Sequence, residues 1–412
     1  MAGIYVHIPF CRSRCLYCGF YSTVGTGLEE DYVRALCREM DLRREECLWT
    51  ERGTSAADSM PIATIYLGGG TPSCLSPVSL KRLFGHMHEV FDIETDAEVT
   101  IECNPDDVTP QAAEGLAALG INRVSMGAQT FDDDMLRRMG RQHTADQVGA
   151  AVDVLRRAGI GNISIDLMFG FPGQTVGAWQ HDIDTALALG VEHLSAYGLT
   201  YEEGTPLDSM RQQGKVMEVD EETSLAMYEM LIDRAALAGY EHYEISNWAR
   251  RDSTAGAHRE PYHSRPRQEM LSVSPYRSRH NSSYWNGTPY MGFGAAAHSY
   301  DGMACRRRNV ADIVQYIAGR EPWSESEHLS EATLYNEMVM TALRTCEGLN
   351  INTVRRRLGE RYCDYLLQCA DKYISGGLLS YTAGDDAADD RLRLTRRGLF
   401  VSNMVMADLM MV

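Results

Sequence analysis

Cys11, Cys15 and Cys18 stand in the run HIPFCRSRCLYC, with three residues and then two between them. Three thiolates this close can hold three corners of a cubane [4Fe–4S] cluster and leave the fourth iron without a protein ligand. An open iron is where an exogenous molecule can bind and react, by the logic that gives catalytic metal sites a vacant position. Spacing alone leaves rivals. Structural zinc wants four ligands, usually as paired couplets, and the nearest downstream thiols, Cys37 and Cys47, fall in a predicted amphipathic helix. Eleven cysteines in 412 residues are too sparse for a disulfide scaffold. The opening MAGIYVHIPF shows no charged n-region, long apolar run or small-residue cleavage site. Cys74, Cys103, Cys305, Cys346, Cys363 and Cys369 are scattered singly and read as small buried hydrophobes.

The elements that must position this loop are legible on either side of it. Short apolar runs at Ile4–Ile8, Ile62–Leu67, Val99–Ile101, Val124–Met126, Ile163–Met168 and Leu194–Tyr197 read as buried parallel strands. Helical periodicity lies between them: Leu28, Tyr32, Leu36 and Met40 on one face, Leu80, Leu83 and Met87 on another, Ala151, Leu155 and Ala158 on a third. Repeated βα units of this kind give an open wound sheet or a barrel.

The strand ends hold the remaining candidates. The first strand delivers Cys11 straight into a loop, and α/β folds place chemistry at the C-terminal mouths of their strands. The second ends in Gly68-Gly69-Gly70-Thr71-Pro72, where missing side chains let the backbone approach a ligand. No Lys-Ser/Thr follows, which excludes a Walker phosphate loop. Glu102, Gln129 and Asp166 close or follow three later strands. Each alone could cap a neighbouring helix. Three on one rim with the cysteines and glycines fit one pocket for a ligand with an amine, a carboxylate and ribose hydroxyls.

These residues resemble the radical S-adenosylmethionine (SAM) superfamily. CRSRCLYC fits its C-x3-C-x2-C signature, including an aromatic, Tyr17, before the third cysteine. GGGTP resembles its glycine motif. YVHIPFC, YLGGGTPSCL, IECNP, RVSMGAQTFDD, IDLMFGFPGQT and YEISNWA resemble, in order and spacing, the oxygen-independent coproporphyrinogen oxidase-like branch, from Ile4 to about Tyr300. The resemblance implies a partial (β/α)6 barrel over residues 1–240. A flanking segment follows over 241–325, and helical runs with a small hairpin then read as a smaller, mostly helical, winged-helix-like domain over 326–412. Cys11, Cys15 and Cys18 would ligate the cluster, whose open iron would chelate the amino and carboxylate groups of SAM. Tyr5, Tyr17, Gly69, Gly70, Thr71, Glu102, Gln129, Arg141 and Asp166 would line the SAM site. Arg141 would neutralise a carboxylate, and an acidic residue would take the ribose hydroxyls. Reduction of the cluster by a flavodoxin or ferredoxin would then cleave SAM; the cofactors supply that chemistry and the protein orients and shields it.

Within that branch the chain resembles the heme chaperones rather than the coproporphyrinogen III dehydrogenases. The dehydrogenases carry a fourth cysteine where this chain has Phe20, and a long extension where only ten residues precede Cys11 here. His280-Asn281-Ser282-Ser283-Tyr284-Trp285 fits the HNxxYW motif of the chaperones. It makes His280 a candidate heme ligand, imidazole being a common one. The implied partners are heme and a heme-acceptor protein, such as a membrane-bound respiratory protein. The alternative is oxidative decarboxylation of coproporphyrinogen III. Two features depart from the family. Residues 250–279 form an Arg-rich insertion, with seven Arg against three acids. GFGAAAHSY has Ala295-Ala296 where Pro-Gly is expected, which alters a turn near His298.

Composition agrees with a folded protein: 44% hydrophobic and 23% charged. A formal charge of −18 argues against a general nucleic-acid binder. No stretch approaches ~20 uninterrupted apolar residues. A labile cluster and unpaired thiols suit a reducing cytoplasm.

Overall fold

A computed structural model describes residues 2–47, 60–251, 273–320, 323–384 and 389–411. Most of the predicted loop at Trp49–Pro61 and the middle of the Arg-rich insertion, with His258 and His263, lie outside these residues. The chain divides into two compact units: 1–234 with 289–302 and 306–327, and 235–288 with 303–305 and 328–412.

The first unit is built on six parallel strands that neighbour one another in chain order. They are β1 (Ala2–Ile8), β4 (Ile62–Gly69), β5 (Ile93–Cys103), β6 (Arg123–Gln129), β7 (Asn162–Phe169) and β8 (His193–Gly198). Two short strands, β2 (Phe10–Cys11) and β3 (Thr23–Val24), pair beside the mouth of β1. Helices α1 (Glu29–Arg43), α2 (Pro77–Val90), α3 (Pro110–Ala118), α4 (Asp133–Arg138), α5 (Ala145–Arg157), α6 (Val176–Ala188), α7 (Pro206–Gln212) and α8 (Glu221–Leu237) fall between or after them. All six predicted strand positions and the three predicted helix faces lie inside these elements. Two residues differ: Leu28 caps α1 and is exposed, whereas Tyr32, Leu36 and Met40 are buried, and Ala158 is the C-cap of α5.

Side chains alternate across each strand. One face is aliphatic: Ile4, Val6 and Ile8 on β1, Val124 and Met126 on β6, Ile163 and Ile165 on β7. The other is polar although it too is largely enclosed: Tyr5 and His7, Thr100 and Glu102, Arg123 and Ser125, Ser164 and Asp166, His193 and Ser195. Buried polar groups are tolerated only with partners, so an enclosed polar face marks where this sheet departs from mere packing.

On its other side β1 pairs in parallel with β11 (Tyr290–Phe293). An antiparallel extension follows: β12 (His298–Tyr300), β13 (Cys305–Asn309) and β14 (Ser324–His328), with α10 (Ile313–Ala318) between the last two. The sequence predicts one more strand at Tyr243–Ile245, which overlaps β9 (Tyr240–Glu244), and none for residues 290–328. The extension is held by ion pairs rather than apolar runs: Arg306 with Glu327, Arg308 with Glu325, Arg307 with Glu46. Beneath it Arg43 of α1 is buried against Glu39 at 2.7 Å and donates to the Gly292 carbonyl and the Ser299 hydroxyl. Glu39 also accepts from Gly294 N, Asn309 Nδ2 and Tyr316 OH. The expected departure at Ala295-Ala296 has a backbone consequence. Ala296 sits at φ 62, the left-handed region that Gly occupies without strain.

The second unit holds the hairpin β9 (Tyr240–Glu244) and β10 (Asn247–Arg250), helix α9 (Arg279–Asn286), and a terminal part of helices and a small sheet. The helices are α11 (Glu331–Ala342), α12 (Ile351–Leu358), α13 (Glu360–Ser375), α14 (Arg396–Leu399) and α15 (Ser402–Leu409). Strands β15 (Leu349–Asn350), β16 (Leu379–Thr382) and β17 (Arg391–Leu394) pair in the order β15-β17-β16. Tyr335, Val339, Val354, Leu366 and Val405 form part of its buried interior. Among the described residues no helix is long and apolar enough to cross a membrane.

Candidate functional site

The cysteine loop leaves the mouth of β1 and is pinned at both ends. Thr23 N donates to the Pro9 carbonyl at 2.6 Å and Gly25 N to the Cys11 carbonyl at 2.9 Å. In between, Leu16 N donates to the Met139 carbonyl and Leu207 N to the Leu16 carbonyl. Leu16 and Tyr17 pack on a cluster of Met135, Met139, Phe171 and Leu207, with the Tyr17 ring edge-on to Phe171. Tyr17 thus belongs to an apolar wall beside the thiols, and burial holds its hydroxyl in the protonated form.

Cys11, Cys15 and Cys18 are free thiols. Burial raises the Cys18 thiol, and the nearby Cys15 and Cys11 raise it further. Among the described residues no three metal-type side chains converge on one point as ligands of a single ion would. A cubane asks for something else, since each thiolate binds a different iron and the sulfurs stand further apart. Hydrogen-bond donors flank two of them: the Thr71 hydroxyl is 3.6 Å from Cys11 Sγ, and Arg141 Nη1 is 3.6 Å from Cys15 Sγ. The donor set and its surroundings fit such a cluster.

The glycine run lies against this loop. Gly70 N donates to the Ile8 carbonyl and Thr71 N to the Phe10 carbonyl. A Cβ on Gly70 would stand 2.7 Å from the Phe10 carbonyl oxygen and 3.0 Å from Cys11 Sγ. Gly69, at φ 113, faces the His7 ring, which a Cβ would meet at 2.6 Å. These glycines are required by close approach of the first two strand mouths. The Gly69 N–H donates to Glu102, which also accepts from the Tyr66 hydroxyl at 2.8 Å. Burial, reinforced by Asp166, raises the Glu102 carboxyl from 4.5 to about 7, against the opposing Tyr66 hydrogen bond. Asp166 is raised by burial as well, while the hydroxyls of Ser195 and Ser125 favour its charged form. Ser125 lies 3.0 and 3.1 Å from the two Asp166 oxygens. Tyr5 stacks on Tyr66 at 6.2 Å and contacts His7 Nδ1 at 3.1 Å.

Gln129 and Arg141 meet over Gly127. A Cβ on Gly127 would lie 2.9 Å from Gln129 Nε2 and 3.2 Å from Arg141 Nη2. Arg141 also donates to Asn104 Oδ1 at 2.8 Å, and Asn104 Nδ2 lies 3.5 Å from Thr71 Oγ1. Twelve of the thirteen candidate residues therefore fall on or beside the strand mouths of one unit, and contacts link most of them. Several members carried no local signal. Asn104 and His7 sit within motif runs but are ordinary polar residues by type. His143 donates to a bulge carbonyl in β6. Asp182 of α6 accepts from Thr130, Phe131 and Gln174, and so ties the loops after β6 and β7 together.

The thirteenth candidate, His280, lies in the second unit. Ser278 caps α9 by accepting from Asn281 N, and this places His280 in the first turn. Its side chain is buried, with Nε2 2.9 Å from the Tyr284 hydroxyl. Trp285 lies under the Arg344 guanidinium at 5.0 Å.

The family model described as Radical SAM superfamily matches residues 5–186, and that described as HemN C-terminal domain matches residues 329–401. The fold is that of the Escherichia coli coproporphyrinogen III oxidase HemN, a radical SAM enzyme. Its structure aligns with a TM-score of 0.77 over 99% of this chain and 89% of that one, at 23% identity. Sheet, cysteine loop and matched models define the class as radical SAM. The heme chaperone HemW of Bacillus subtilis is 34% identical, over 88% of this chain and 87% of that protein. HemW of Mycobacterium tuberculosis is 30% identical, over 99% and 94%. The chain belongs to this HemW-like branch of the radical SAM superfamily.

Proposed function

We propose that this protein is a heme chaperone. It would bind a [4Fe–4S] cluster through Cys11, Cys15 and Cys18 and SAM through the strand-mouth pocket, take up heme, and pass it to an acceptor protein. The six parallel strands are read as the partial (β/α)6 barrel of the class and the terminal helices with β15–β17 as a winged-helix-like module. The cluster, when bound and reduced, supplies the electron for cleaving SAM, and a flavodoxin or ferredoxin is the proposed electron donor.

The protein's own groups define what the pocket accepts. Arg141 offers a guanidinium beside Cys15, suited to the carboxylate of SAM. Glu102 and Asp166 present acceptors for ribose hydroxyls or an amine. Leu16, Tyr17 and Phe171 exclude water from one side.

The observation that favours a chaperone over a dehydrogenase is Phe20. It stands where the dehydrogenases have their fourth cysteine, and its apolar side chain is 70% exposed. The B. subtilis and M. tuberculosis relatives, both named heme chaperones, support the same reading. His280 would act as a heme ligand only if its pairing with Tyr284 opens, because both rings now occupy each other. The acceptor is proposed to be a membrane-bound respiratory protein.

The test is anaerobic reconstitution with SAM and reductant, followed by two assays. Supplied coproporphyrinogen III should remain unconverted; formation of protoporphyrinogen IX would establish the dehydrogenase instead. Heme titration should give a Soret band that weakens in His280→Ala. No heme binding by the wild type would end the chaperone reading.

A further inference from the structure

We propose that His143 is a positioning residue: it locks the backbone bulge that turns Gln129 into the candidate SAM pocket. In the pairing of β6 with β7, Gly127 faces Asp166 and Gln129 faces Leu167, so Ala128 is left over between them. A bulge of this kind breaks the ladder and frees backbone groups that must find partners elsewhere. It also drives Gln129 to φ 70, a region that non-glycine residues hold only when their surroundings impose it.

Those surroundings come from one short segment. Helix α4 ends at Arg138; Gly140, at φ 83, reverses the chain, and the next three residues run back along the bulge. Arg141 Nη2 donates to the Gly127 carbonyl at 2.5 Å. His143 Nε2 donates to the Ala128 carbonyl at 3.1 Å, the carbonyl that also receives Thr130 N. His143 is 3% exposed. Donation to a carbonyl fixes the proton on Nε2 and leaves Nδ1 an acceptor. Burial and the neighbouring Arg141 push the imidazole down to about 4, so it holds this neutral form across the working pH range. Arg141 reaches onward to Cys15, whereas the His143 hydrogen bond goes to the bulge, so changing His143 removes a bulge contact and not a proposed ligand.

The inference rests on the reading that this pocket takes SAM. The test uses the reconstituted holoprotein as wild type, His143→Leu and His143→Gln, with SAM affinity, iron content and the SAM-induced change in the reduced cluster's EPR signal measured for each. Leu cannot donate to Ala128, whereas a Gln amide can. The Leu variant should bind SAM ~10-fold more weakly, with iron content unchanged and a smaller EPR change, while Gln stays within about threefold of wild type. Wild-type affinity in the Leu variant, or equal weakening in both variants, would overturn the inference. If the Leu variant does not fold, His143→Asn replaces it, its amide being too short to reach; SAM binding by Asn equal to that by Gln would again overturn it. A wild type that binds no SAM would overturn the functional reading instead.

Discussion

Glu102→Gln should stabilise the protein at neutral and higher pH while weakening SAM binding. The carboxyl is raised from 4.5 to about 7, chiefly because burial strips its solvation. At 1.36 kcal/mol per pH unit, ionising it in the folded state costs about 3 kcal/mol. This figure is a ceiling, because part of Glu102 remains exposed. Between pH 4.5 and 7 the folded protein retains a proton that the unfolded chain has lost. Stability therefore falls as pH rises through that window, and the loss is complete above it. Gln is neutral throughout; its Oε1 can accept from Gly69 N while its Nε2 donates to the Tyr66 hydroxyl oxygen. The two proteins should thus match at pH 4.5, and the variant should melt several degrees higher at pH 8, given ~2–4 °C per kcal/mol in a unit of this size. Thermal melts of ligand-free protein across pH 4.5–8 measure this directly, and added SAM should raise the wild-type midpoint more than the variant's. A difference that does not grow with pH, or a variant less stable at pH 8, would refute the electrostatic reasoning.

Gly70→Ala should abolish cluster incorporation, read as iron per chain, because its Cβ would press on the Phe10 carbonyl and Cys11 Sγ; Gly85→Ala, with open space around it on α2, serves as the tolerated control. Ala296→Gly should raise stability by about 0.5–1 kcal/mol in denaturant melts, since relief of a left-handed Ala outweighs the added chain entropy. Arg43→Met should destabilise by about 3–5 kcal/mol, because it leaves Glu39 buried without its charge partner; a neutral effect on the melting temperature would contradict this.

The parallel strands were readable because each carries aliphatic residues on a buried face, and the site because its residues fall at strand ends within specific runs. The antiparallel extension was not. Cys305-Arg306-Arg307-Arg308-Asn309 has no apolar alternation, and it becomes a strand only because Glu46, Glu325 and Glu327 meet it from distant positions. Leu28 fitted a helical period but lies one residue outside the helix, where the period has no force. Ala296 shows the opposite case. A departure noticed in the sequence as a missing glycine has a direct physical expression in its backbone angle. The role of Asn104 could not be read locally, since its side chain matters only through Arg141 and Thr71, 37 and 33 positions away.

The strand that carries the cysteine loop is flanked on one side by β4 and on the other by β11, which begins at Tyr290. During synthesis at about 5–20 residues per second, that second neighbour emerges some tens of seconds after β1. Until then one edge of the nascent sheet offers unsatisfied amides to any passing chain. Closure of this edge is therefore a late event of assembly. A cluster bound by the cysteine loop before that point would sit beside an unpaired sheet edge.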